Sequence, residues 1–172
     1  MMKRRRFLKA GVVGSALLAA GGGWVVWRDV RDADAGFPQH DRVAGILGAV
    51  APVLLAGALP ADPASRATAI ANVITDVKTV IRGFPPAVRD EVNELFRLLD
   101  IRIARRLLTG VANDWRDANP ADVDAFLERW RRSRIALLQS GYFALHDLVL
   151  GAWYANESAW AALRYPGPPN VE

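Results

Sequence analysis

Apolar residues return at helical spacing along most of this chain, interrupted by proline and glycine at intervals suited to turns between helices. Asp41 is placed to cap a first helix carrying Val43, Ile46, Leu47, Val50, Val53, Leu54 and Leu55, with Pro52 bending or ending it and Ala56-Gly57-Ala58-Leu59-Pro60 as the stop. Asp62-Pro63 offers an N-cap followed by proline at the first helical position. Ala67, Ile70, Val73, Ile74, Val77, Val80 and Ile81 then form one stripe up to Gly83. Beyond the Phe84-Pro85-Pro86 corner, Val88, Val92, Leu95, Phe96 and Leu99 mark a third helix, with a continuation through Ile103 and Leu107 to Gly110. Asn119-Pro120 begins a fourth in the same cap-plus-proline manner, with Val123, Phe126, Leu127 and Trp130. Ile135, Leu138, Tyr142, Leu145, Leu148, Val149 and Trp153 make a long fifth.

Period-two alternation is not sustained anywhere, and no Asn-Gly or Asp-Gly hairpin signal occurs. The expected class is therefore all-α, a single bundle of about five helices. Ser158 is placed to cap a last short helix through Leu163, after which Pro166, Pro168 and Pro169 force an extended Pro/Gly-rich tail.

The amino terminus obeys a different pattern. Lys3-Arg4-Arg5-Arg6-Phe7-Leu8-Lys9 runs into an uncharged stretch of 18 residues, Ala10 to Trp27. This resembles the twin-arginine export signal: Arg4 and Arg5 take the paired positions, Arg6 the free one, and Phe7, Leu8 and Lys9 follow, with Lys3 replacing the usual leading Ser/Thr. The resemblance implies export of a folded protein through the twin-arginine translocase to the periplasm. Small-x-small cleavage patterns occur at Ala33-Asp34-Ala35 and Ala19-Ala20-Gly21. Cleavage is the expectation, with inner-membrane attachment through residues 10–27 as the alternative. The chain divides accordingly into a signal and linker, residues 1–35, and a helical domain, residues 36–172.

This division changes the meaning of the charge. The whole chain has a formal charge of +4 and a pI near 10.0. Seven of the 22 basic residues and three of the 18 acidic ones precede Gly36, so the domain carries 15 of each and is neutral. The basic pI comes from the leader and is no indication of nucleic-acid binding. Cysteine is absent, which excludes disulfides, thiolate iron-sulfur ligation, covalent haem attachment through cysteine and a cysteine nucleophile. A domain of about 137 residues is large enough to bury a core without such staples.

Candidate chemistry is sparse. The histidines are His40, near the leader, and His146, beside Asp147 in the fifth helix. Adjacent helical residues point about 100° apart, and the sequence places no serine to complete a triad. No His-x-x-x-His, Glu-x-x-His or carboxylate-rich loop suggests a metal, and Asp122 and Asp124 suit the first turn of a helix without one. Gly21-Gly22-Gly23 follows no strand, so it is no phosphate loop. Arg129, Arg131, Arg132 and Arg134 surround Trp130 near the end of the fourth helix. They suit either the helix carboxyl end and neighbouring acids or a phosphate or acidic lipid surface. Catalytic, cofactor-binding and metal-binding residues are not assigned.

The carboxyl end concentrates aromatics. Trp153, Tyr154, Trp160 and Tyr165 fall within thirteen residues, followed by Pro166, Gly167, Pro168 and Pro169. Aromatic anchors and a preordered extended tail suit either a fold-back over the core or the grip on a partner. Together with the leader and the Leu137-Leu138-x-x-Gly141-Tyr142-Phe143 stretch, this ending resembles the gluconate 2-dehydrogenase subunit 3 family. These are small subunits of flavin-dependent dehydrogenases of the glucose-methanol-choline class. The resemblance implies a non-catalytic accessory chain that escorts a large flavoprotein through export and maturation, with FAD held by that partner. Read as a partner grip, the aromatic and proline-rich ending places the contacts at Trp153, Tyr154, Trp160, Tyr165, Pro166, Gly167 and Pro168, with the surroundings of Trp130 as the place to look if the tail is core packing. A free-standing periplasmic helical module binding an apolar ligand or another protein is the alternative.

Overall fold

The computed structural model describes residues 39–156. The export signal at Arg4, Arg5, Phe7, Leu8 and Lys9, the apolar run at 10–27, and Trp160, Tyr165, Pro166, Gly167 and Pro168 of the tail lie outside the described residues. Within them the protein is all-α, with six helices and no strand. The helices are α1 (Gln39–Leu54), α2 (Pro63–Gly83), α3 (Pro86–Asp100), α4 (Arg102–Thr109), α5 (Pro120–Arg131) and α6 (Ala136–Ala155), with a 3-10 turn at Trp115–Asp117 before α5.

Two starts follow from local chemistry. The Asp62 carboxylate accepts the backbone N–H of Ser65 at 2.8 Å and Pro63 opens α2. Asn119 accepts the N–H of Ala121 at 2.9 Å and Pro120 opens α5. In each case a short side chain satisfies a donor that the helix itself leaves open. Helix α1 starts at Gln39, so Asp41 lies inside its first turn rather than ahead of it, and Pro52 is tolerated two residues before its end.

The expected long third helix is two. The chain leaves α-geometry at Ile101 (φ −62°, ψ 117°) and restarts at once as α4. A helix end leaves carbonyls without intrahelical donors, and here buried tryptophans supply them. Trp115 Nε1 donates to the Leu99 carbonyl at 2.8 Å, at the end of α3. Trp130 Nε1 donates to the Leu108 carbonyl at 2.9 Å, at the end of α4. Gly110 (φ +72°) closes α4 in the left-handed conformation, its N–H reaching the Arg106 carbonyl.

Helix α1 is central, touching α2, α3, the 3-10 turn, α5 and α6. Its Ile46, Leu47 and Val50 are fully buried and meet Val77 of α2, Leu99 of α3, Phe126 of α5 and Leu145 of α6 in one core. The aromatic centre of that core is a chain of edge-to-face pairs, Trp115 to Phe126 at 5.9 Å and Phe126 to Trp130 at 5.1 Å.

Candidate functional site

Three places combine exposure or buried charge with chemistry. The first is on α6. His146 Nδ1 lies 2.9 Å from Asp147 Oδ1, and the imidazole packs against the Tyr142 ring at 5.6 Å. Adjacent helical side chains diverge, yet these two meet. The pair sits on an outer helix face and Asp147 is largely exposed. Nothing there excludes water from a reacting group.

The second is a polar cluster joining α1, α3, α4 and the loop before α5. Arg42 Nε pairs with Asp100 at 3.3 Å, and Arg105 Nη1 lies 3.9 Å from Asp114. Burial pushes the Asp100 carboxyl above its ordinary value, against the pull of Arg42. Burial likewise lowers the Arg105 guanidinium, with Asp114 opposing. Arg105 is 4% exposed and its Nε has no hydrogen-bond acceptor among the described residues. These charges hold four segments together; alternating signs leave no net field for an ionic substrate.

The third is an open groove of about 380 Å³ between α1 and the start of α5, with Gly45, Gly48, Ala49 and Pro52 facing Trp115 and Pro120. Small residues on α1 leave it hollow. It offers a ligand shape without a convergent set of polar groups.

The residues expected to grip a partner separate into two kinds. Trp130 is 3% exposed and Trp153 is also buried, so both serve the core. The surface expectation for Trp130 fails because its indole is drawn inward by the Leu108 carbonyl and the Phe126 ring. Tyr154 is 45% exposed, at the end of α6 where the tail departs. Of the arginines around Trp130, Arg131 and Arg132 both pair with Glu128, whose carboxyl is lowered chiefly by the Arg131 hydrogen bond. Arg129 donates to the Thr109 carbonyl at 3.4 Å.

Leu107 and Leu108 are the surprise. Periodicity put Leu107 on a buried stripe, yet it is 78% exposed, while Arg105 and Thr109 of the same helix are buried. Helix α4 is turned polar side inward. The sequence signal was present as Arg105-Arg106-Leu107-Leu108, in which adjacent arginines and leucines leave the rotation undecided.

Among the described residues no group of three His, Cys, Asp or Glu side chains is arranged to hold a metal ion, and no helix is long and apolar enough to cross a membrane. Comparison with models of protein families, with curated proteins and with solved structures gives no match for this chain.

Proposed function

We propose that this chain is the non-catalytic small subunit and export escort of a large FAD-dependent alcohol or sugar dehydrogenase in the periplasm. The observation that carries the reading is the Arg4-Arg5-x-Phe7-Leu8-Lys9 leader on a helical domain that ends in aromatics and prolines. A twin-arginine leader suits cargo already folded around its cofactor, and a large subunit without its own signal would travel on this one.

The outer face of α6 supports the same reading. Phe143 and Tyr154 are both about half exposed and lie eleven residues apart, which returns to within about 20° on a helix. They stand on one side of α6, about 16 Å apart along its axis with Asp147 and Gly151 between them, and the sequence continues from there to Trp160 and Tyr165. Aromatic side chains of this size are the usual anchors of a protein interface.

The test replaces Arg4 and Arg5 together by Lys, keeping charge and losing the planar guanidinium fork. Cells making both subunits are fractionated and flavin is assayed in each fraction. Retention of both proteins in the cytoplasm is expected. Normal export of the double variant, or export of the flavoprotein without it, overturns the escort role.

A further inference from the structure

Three helix termini converge at one end of the bundle. Trp130 and Arg129 of α5 donate to the Leu108 and Thr109 carbonyls that end α4. Gln139 of α6 donates to the Arg131 carbonyl that ends α5. The ring of Trp130 lies directly against Gly141. This end carries Leu107 and Leu108 from α4 and Ile135 and Leu137 from the entry to α6, all exposed, Leu107 at 78% and Ile135 at 60%.

Charge is segregated at the same place. No acidic residue occurs from Ile101 to Asn113, or from Arg129 to His146. Arg106, Arg129, Arg131, Arg132 and Arg134 gather here, with Glu128 as the acid that pairs two of them. Arg106 and Arg129 donate to backbone carbonyls, which leaves their charge uncompensated. Arg134 is exposed and has no ion-pair partner among the described residues. Asp122 and Asp124 stand toward the opposite end of α5, about 10–14 Å along its axis from Arg131. A domain that is neutral in sum therefore has one strongly basic pole.

We infer that this pole docks on an anionic phospholipid surface, with Leu107, Leu108, Ile135 and Leu137 entering the headgroup and acyl boundary and the arginines pairing with lipid phosphates. The apolar residues at the tip are aliphatic and protrude singly; Trp130 and Tyr142 are withheld in the core, and half-exposed Phe143 lies a turn or more further along α6. Protein hot spots favour Trp, Tyr and Arg over Leu; interfacial helices combine aliphatic tips with a basic flank. The rotation of α4 fits this use. Burying Arg105 and exposing Leu107 is unfavourable in water and favourable where the leucine meets lipid.

The chain has no cysteine, so one label reports one place. Full-length Leu107→Cys and Val80→Cys proteins, each carrying an environment-sensitive fluorophore, are mixed with vesicles of phosphatidylcholine alone or of equal parts phosphatidylcholine and phosphatidylglycerol. Val80 is exposed on α2 and serves as the reference. A blue shift at position 107 on phosphatidylglycerol vesicles, none at position 80, and weakening as salt is raised are expected. Adding Arg134→Glu to the position-107 protein should lower vesicle affinity by about fivefold or more. An unshifted label at 107, or equal shifts at both positions, overturns the assignment. So does a label at 107 that ignores vesicles and becomes buried only when the flavoprotein subunit is added, which would make this end a protein interface.

Discussion

The six-membered ring of Trp130 occupies the space where a side chain at Gly141 would begin. A Cβ at position 141 would meet Trp130 Cζ3 at 2.6 Å and Cε3 at 3.1 Å. The indole cannot swing away, since its Nε1 is fixed to the Leu108 carbonyl and its face to Phe126. Gly141 thus lets α6 approach α5 closely enough to seal the basic end of the bundle.

Gly141→Ala should therefore destabilise the protein by about 1–2 kcal/mol, the overpacking penalty of about 1–3 kcal/mol outweighing the helix propensity gained over glycine. Urea denaturation measures it. Combining it with Trp130→Phe should cost less than the two changes added, because the smaller ring vacates part of the contact. Strict additivity would show that the two residues do not press on one another.

Trp115→Phe removes the donor that satisfies the Leu99 carbonyl and opens space beside Phe126. A loss of about 2–3 kcal/mol is expected, from an unsatisfied buried carbonyl together with a small cavity. The denaturation midpoint should fall with the slope unchanged. Stability within a few tenths of wild type would mean that water replaces the indole at the end of α3.

Two carboxylates should give opposite pH signatures. Asp62 is held below its ordinary value by the Ser65 backbone hydrogen bond, so its stabilisation is present above the unfolded-state pKa and lost as pH falls through the folded one. Asp62→Asn should accordingly trail wild type near neutrality and converge with it in acid. Asp100 is raised by burial, so its contribution is present below the unfolded-state value and lost as pH rises through the folded one. The stability of Asp100→Asn relative to wild type should then climb from pH 3.8 upward through the raised pKa. Thermal melts across the acid range decide both signs; parallel profiles for the three proteins would refute them.

The purified chain, freed of its partner, should show no absorption in the visible region and no turnover of alcohols or sugars, because the sequence supplies no phosphate loop following a strand and no cysteine. An absorbance scan and a dye-linked activity assay check this. Flavin bound at one per chain would make this protein the oxidoreductase itself and end the accessory reading.

The sequence alone was enough for the helical class and for several boundaries. Asp62-Pro63 and Asn119-Pro120 start helices because each cap bonds a donor two or three residues away, a distance the local chain fixes. Gly83 and Gly110 end helices as read, Gly110 because it alone of the local residues takes positive φ without strain. The stripe Val73, Val77 and Ile81 is buried as its spacing implies. Other decisions belonged to the tertiary structure. Ile101 breaks what periodicity drew as one helix, and the Leu99 and Leu108 carbonyls that end α3 and α4 find donors in Trp115 and Trp130, distant along the chain. The same contacts set the rotation of α4, which buries Arg105 and turns out Leu107, and they withdraw Trp130 from the surface. A hydrophobic pattern states which face is apolar; which face turns inward depends on hydrogen-bond partners and neighbouring rings that meet only when the helices pack.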